Sequence, residues 1–136
     1  MFLLEKSIIS PKDYMSLRAS AGMAKRSLKG AQKGLGNEIY SVVIKIKKTN
    51  EIIGMGRIIG DGGTVFQICD MAVKSEWHNK GAGTMIMDDL MLYIKENAEE
   101  NAYINLLADV NGFYEKWGFE PTAPNSVGMF YRKTND

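Results

Sequence analysis

The sequence lacks a charge excess of either sign, a second cysteine, a long apolar run and a metal-ligand cluster. Its 136 residues carry 17 Lys and Arg against 16 Asp and Glu, a net charge of +1. No broad basic field of the kind that drives nonspecific nucleic-acid binding is present, so no nucleic-acid partner is expected. Cys69, the single cysteine, has no internal partner for a disulfide and lies in an apolar run, which suits a reducing cytoplasm. Residues 1–6 are too short for a signal-peptide core, and no apolar stretch approaches bilayer length, so neither export nor membrane insertion is expected. His, Cys, Asp and Glu never fall at metal-ligand spacing, and no metal is expected. No repeat or low-complexity linker divides the chain. Its length suits a single domain over residues 1–136.

What is present reads as alternating strands and helices. Residues 2–9 are a candidate first strand, followed by Ser10 as N-cap and Pro11 at the first helical position of a helix reaching Ser20. A second helix is expected over 24–35, closed by Gly34-Leu35-Gly36, with Lys25, Arg26, Lys29 and Lys33 on a solvated side. Val42, Ile44 and Ile46 alternate with Lys45 and Lys47 in a strand over 39–47. The next strand, 52–59, is interrupted by Gly54 and Gly56, where a neighbouring element is expected to come close. Gly60-Asp61-Gly62-Gly63 is a hairpin turn, and 64–73 is a nearly continuous apolar strand suited to the centre of a sheet. Ile86, Leu90, Tyr93 and Ile94 recur at helical spacing, with Met85, Met87 and Met91 widening the stripe as core packing. A short strand over 103–107, a helix over 111–117 and a last strand over 126–132 complete the order β-α-α-β-β-β-α-β-α-β.

The chemistry concentrates where the 64–73 strand gives way, through His78-Asn79-Lys80-Gly81-Ala82-Gly83-Thr84, to the principal helix. A helix entered through glycines presents unpaired N–H groups at the positive end of its dipole, a seat for phosphate or pyrophosphate, and Lys80 adds a mobile positive charge. A dinucleotide fingerprint would need a third glycine where Ile86 stands, and a Walker loop would need Gly-Lys-Ser/Thr at the helix entry. Neither is met. Further on, Gly112-Phe-Tyr-Glu-Lys-Trp-Gly-Phe119 sets a tyrosine in a short amphipathic helix that stops at a glycine.

These features resemble the GNAT superfamily of acyl-coenzyme A-dependent N-acetyltransferases. The family signature Gln/Arg-x-x-Gly-x-Gly/Ala is matched by His78-Asn79-Lys80-Gly81-Ala82-Gly83, with histidine at the Gln/Arg position. The later Tyr-Glu-Lys-Leu-Gly-Phe-like signature is matched by Tyr114-Glu115-Lys116-Trp117-Gly118-Phe119, with tryptophan for leucine. The element order agrees from end to end. The resemblance implies an α/β (α+β) GNAT fold, a mixed central sheet flanked by helices, and acetyl-CoA as cosubstrate.

It also implies roles. Backbone groups of Met71, Ala72 and Val73 would pair with the pantetheine arm, an N–H near Met71 would face the thioester oxygen, and N–H groups from Asn79 through Thr84 would cradle the pyrophosphate. His78 is implied to be a loop residue near the phosphates, in preference to a base. Tyr114 would protonate the departing thiolate. Asn111 and Phe113 join Tyr114 on the implied cofactor side. The asparagine that many members carry seven positions before the tyrosine is Leu107 here, with Asp109 and Asn111 nearby. Three roles stay open for Asp70: accepting the amine's proton directly or through water, attracting an ammonium substrate, or serving as a partnered polar residue at a strand break. Trp77 and Trp117 are expected as packing anchors. Acceptor contacts are expected from 23–35, the Asp61 hairpin and 125–130.

The implied activity is acetyl transfer to a primary amine, of a small molecule, by direct attack in a ternary complex. The alternatives are acetylation of a protein N-terminus or lysine, and a noncatalytic CoA-binding or sensing module. A homodimer through the apolar segment Val127-Gly-Met-Phe-Tyr131 is also expected.

Overall fold

The computed structural model describes residues 1–134, which divide into two compact units, one spanning Met1–Leu106 and the other beginning at Leu107. The first unit is a mixed α/β body in which five strands lie side by side in chain order. The strands are β1 (Phe2–Lys6), β2 (Tyr40–Ile46), β3 (Ile52–Gly60), β4 (Val65–Val73) and β5 (Tyr103–Asn105). β1 to β4 pair antiparallel and β5 joins β4 in parallel, so the expected mixed sheet is formed.

Helix α1 (Pro11–Ser20) begins as its sequence dictates. The Ser10 side chain accepts the Asp13 N–H at 3.1 Å, and Pro11 occupies a position whose N–H would have no helical partner. α2 (Leu28–Gly34) starts four residues later than expected, because Ser27 is its N-cap and accepts the Gly30 N–H at 2.9 Å. Tyr14 and Leu17 of α1 and Ala31 of α2 bury against Val43, Met55 and Ala72, forming the core on one face of the sheet.

The other face receives α3 (Ala82–Asn97) through Ile86, Met87, Leu90 and Ile94. Its approach depends on two glycines. A Cβ at Gly54 would stand 3.3 Å from Ile86 Cδ1, and one at Gly56 only 2.5 Å from Ile86 Cγ2. Tyr40 meets the same helix, stacking on Tyr93 at 4.3 Å between ring centroids and donating its hydroxyl to Asp89 at 2.6 Å. The β3–β4 turn is held by Asp61, whose Oδ1 accepts the N–H groups of Gly63, Thr64 and Val65 at 2.8–3.1 Å. Among the described residues no helix is long and apolar enough to cross a membrane.

The second unit departs from the expected order. The helix foreseen over 111–117 is a single 3-10 turn, Tyr114–Trp117, ended by Gly118 in the left-handed region at φ 90°. The strand foreseen over 126–132 is not formed, and among the described residues no helix or strand follows Trp117. The physical reason is that a strand takes its hydrogen bonds from a neighbour, and this segment pairs with none. Its side chains stand in the open: Val127 is 74 % exposed, Met129 89 %, Phe130 82 % and Tyr131 91 %.

Candidate active site

The site is built on β4. Toward β3 its ladder runs as far as Val73, opposite Gly54, whereas toward β5 it stops at Gln67, opposite Asn105. Among the described residues, no strand lies beside the β5-side flank of β4 beyond Gln67. Met71, Ala72 and Val73 lie on this stretch. The Val73 carbonyl already has a donor, since His78 Nε2 lies 2.7 Å from it. That bond puts a proton on Nε2 and ties the loop to the strand end, so His78 acts as a loop anchor.

Past a 3-10 turn at Ser75–Trp77, the chain reverses through Asn79 at φ 61° and Gly81 at φ 91° into α3. Gly81 is the N-cap, and the first helical bond runs from the Met85 N–H to the Gly81 carbonyl at 3.0 Å. The N–H groups of Ala82, Gly83 and Thr84 precede that bond and have no acceptor inside the helix. Asn79, Lys80, Gly81 and Thr84 are exposed while Ala82 is buried, so this positive helix end opens to solvent.

Between the open flank and the core lies a β-bulge. Arg57 faces Cys69 and Met55 faces Ala72, which leaves Asp70 and Met71 together opposite the single residue Gly56. Asp70 takes φ 55°, the left-handed region, which costs a non-glycine residue about 1–2 kcal/mol. Its carboxylate is held from three sides. Arg18 donates to Oδ1 at 2.5 Å, Arg57 to Oδ2 at 2.6 Å, and the Tyr14 hydroxyl to Oδ2 at 3.1 Å. These donors are fixed in turn, Arg18 by the Ala24 carbonyl at 2.6 Å and Arg57 by Glu38 at 3.3 Å. The cluster is nearly dry, with Arg18 5 % and Asp70 8 % exposed. Burial pushes the Tyr14 phenol up, and the Asp70 charge adds to that shift. Burial acts to lower Arg57, yet the bond to Asp70 and its charge carry the net shift upward. Burial, seconded by Asp70, raises the Cys69 thiol to about 12.

An amine reaching Asp70 as a direct base would meet a carboxylate already engaged on both oxygens and nearly closed to solvent. Sequence reasoning singled out Asp70 but missed Tyr14, Arg18, Glu38 and Arg57. The one signal available was a carboxylate inside an apolar strand, which demands partners without naming them.

In the second unit Tyr114 is buried, edge-on to Phe113 at 5.1 Å and to Phe119 at 6.5 Å. Burial and then the charge of Asp109 raise its phenol, which keeps it protonated at neutral pH. The Gly112 N–H donates to Glu115 at 3.2 Å, closing the turn. Phe113 is half-buried, while Asn111 and Leu107 are exposed.

The profile of the acetyltransferase (GNAT) domain matches residues 37–121. The chain belongs to the GNAT acetyltransferase family. Protein SA2161 of meticillin-resistant Staphylococcus aureus, a protein of unknown function described as a probable acetyltransferase, is 41 % identical. That likeness covers 98 % of this chain and 100 % of that one, at a TM-score of 0.93. A GNAT-family acetyltransferase from Streptococcus pneumoniae shares the fold at 19 % identity and TM-score 0.78, over 100 % of both chains. A predicted acetyltransferase from Clostridium acetobutylicum, solved with acetyl-CoA, does so at 21 % identity and TM-score 0.68, over 96 % of each. Among curated proteins none matches the chain. GNAT acetyltransferases use acetyl-CoA. The bare flank of β4 and the open N-terminus of α3 fit an extended arm ending in a pyrophosphate.

Proposed function

We propose that this GNAT protein transfers acetyl from acetyl-CoA to the primary amine of a small molecule, by direct attack in a ternary complex. The observation that carries the reading is the continuity of the unpaired flank of β4, at Met71–Val73, with the exposed turn Asn79–Thr84. An extended pantetheine arm laid on that flank finds the N–H groups of Ala82, Gly83 and Thr84 for its pyrophosphate, and Lys80 adds a cation. His78 serves by holding the loop to Val73.

Acetyl transfer needs an unprotonated amine, a stabilised oxyanion and a protonated leaving sulfur. In this reading the Met71 N–H faces the thioester oxygen, and Tyr114 gives its proton to the thiolate as the tetrahedral intermediate collapses. Its phenol carries its proton at neutral pH as phenols do, and burial with Asp109 shifts it further toward that form. Phe113 and Asn111 flank it on the cofactor side. Asp70, gripped by Arg18, Arg57 and Tyr14, is not the direct base, and water takes the amine's proton. The two units work as one domain.

The test is release of free thiol from acetyl-CoA across a panel of amines, by the wild type and by Tyr114→Phe. Turnover with a small amine, reduced about 10²-fold in kcat for Tyr114→Phe at unchanged CoA affinity, is the expected result. CoA binding without turnover on any amine, peptides included, would make the protein a binding module. Turnover on peptides alone would make it a protein acetyltransferase.

The exposed segment Val127–Tyr131 supports a homodimer, since a lone chain leaves it bare. At roughly 150 Å² a side chain and the exposures given above, Val127, Met129, Phe130 and Tyr131 offer about 500 Å² per copy. Two copies then bury about 1,000 Å², the least that a specific interface needs. Sedimentation at micromolar concentration should give a dimer that Met129→Lys dissociates; monomer mass in the wild type rejects it. A single free, half-buried thiol, Cys69, is consistent with the cytoplasm as the site of action.

A further inference from the structure

The functional reading gives the cluster around Asp70 no CoA contact, yet the cluster sits one residue from the N–H which that reading gives to the thioester. Three other non-glycine residues have positive φ among the described residues: Asn50, Asn79 and Asn101. All three are exposed, and asparagine tolerates the left-handed region well. Asp70 differs in adopting it inside a strand. Strain of this kind persists only where the surroundings over-determine it. Here they do so from two directions. Tyr14 and Arg18 lie one turn apart on α1, and Arg57 reaches across from β3.

The register shows what the strain accomplishes. Without the bulge, alternation would send Cys69 and Met71 to the α1 face and Asp70 to the apolar α3 face. With it, Cys69 Sγ and Asp70 Oδ2 stand 3.9 Å apart on the α1 side, and Met71 turns toward Gly56 and α3. The peptide joining residues 70 and 71 is rotated by the same step, so the direction of the Met71 N–H follows from where the carboxylate is held.

We propose that Asp70 is a positioning residue, whose carboxylate, clamped by Arg18, Arg57 and Tyr14, locks the β4 bulge and so aims the Met71 N–H at the thioester oxygen. The inference rests on the acetyl-transfer reading for the identity of that oxygen.

Two measurements test it. The first is kinetic. Tyr14→Phe removes one donor from Asp70 at almost no change in shape, and it should lower kcat severalfold while the acetyl-CoA KM stays within about twofold. Asp70→Asn keeps an acceptor and a side chain that tolerates positive φ. It should lower kcat about tenfold with the pH profile unmoved, and Tyr14→Phe should add little on top of it, because both act through one carboxylate. A fall of about 10²–10⁴-fold for Asp70→Asn with loss of the profile's acidic limb would make Asp70 the base and overturn the proposal. Full kcat in Tyr14→Phe would also overturn it, and that variant keeps the test open if Asp70→Asn does not fold.

The second readout does not need turnover. In the wild type the Met71 amide resonance should shift differently with acetyl-CoA than with CoA, and Tyr14→Phe should shrink that difference. An amide that responds alike to both ligands refutes the proposal. An amide that discriminates in a protein turning over no amine refutes the acetyl-transfer reading and leaves the positioning intact.

Discussion

Replacing Gly56 by alanine should both loosen the fold and weaken CoA binding. The added Cβ would lie 2.5 Å from Ile86 Cγ2, 3.1 Å from Leu90 Cδ1 and 3.2 Å from Met71 Sδ. Ordinary contact begins near 3.4 Å, so Ile86 must retreat by about 0.9 Å, the difference of 3.4 and 2.5. Neither Ile86 nor Leu90 has room to do so, since both are completely buried. The helix itself must lift. Overpacking of this kind costs about 1–3 kcal/mol, and the lower chain entropy of alanine offsets about 0.5–1 of it. The net loss of about 0.5–2 kcal/mol corresponds to a Tm lower by roughly 2–8 °C for a chain of this size. Ile86 lies one turn into α3, so its displacement carries the N–H groups of Ala82, Gly83 and Thr84 away from β4, and CoA titration should show weaker binding. The partner atom can be removed as a control. Ile86→Ala alone costs about 2–5 kcal/mol, but Gly56→Ala placed in that background should cost clearly less than in the wild type, because the nearest clashing methyl is gone and only the milder contacts to Leu90 and Met71 remain. An unchanged Tm for Gly56→Ala, or strict additivity in the double variant, would refute the close-packing argument.

Three further outcomes follow from groups elsewhere in the fold. Gly83→Val, which puts a branched side chain beside the open helix end, should weaken CoA binding at least about tenfold in calorimetry while leaving the far-UV spectrum intact. Cys69, with its thiol raised to about 12 by burial and by Asp70, should resist a thiol reagent at pH 8 in the folded protein and react at once in denaturant. Tyr40 is raised by burial and by its bond to Asp89, so it favours the folded state fully below its unfolded value near 10. That contribution is lost as pH climbs through the folded value, and Tyr40→Phe should flatten the alkaline fall of Tm.

Local chemistry made part of the architecture readable. Ser10 with Pro11, the Asp61 turn and the entry through Gly81 each specify their own backbone, and the structure has all three where the sequence puts them. Gly54 and Gly56 announced a close neighbour or a break in pairing, the usual reasons for glycine in an apolar strand, and Gly56 has both. The start of α2 was missed because Ser27 competes with the helical pattern of residues 24–26 and wins by capping Gly30. The segment 126–132 has strand composition, but composition does not supply an edge to pair with. The Asp70 cluster was the least legible part. Its members are separated by 56, 52 and 13 positions from Asp70, and the two longer pairings, to Tyr14 and Arg18, are decided only when α1 packs on the sheet.

The order of strands in the sheet, the same as their order in the chain, bears on how the protein folds. β2, β3 and β4 are joined by tight turns at 47–51 and 61–64, so their pairing closes small loops at low entropic cost. β1 must wait for the chain through α1 and α2 to be drawn in, and β5 for the crossover that contains α3. A nucleus in the β2–β4 meander therefore precedes the docking of the helices. The bulge at Asp70 lies on this early-forming strand, but Tyr14 and Arg18 reach it only with α1. Folding thus sets the register of β4 first and tightens its bulge last, so Tyr14→Phe should speed unfolding and leave the refolding rate unchanged.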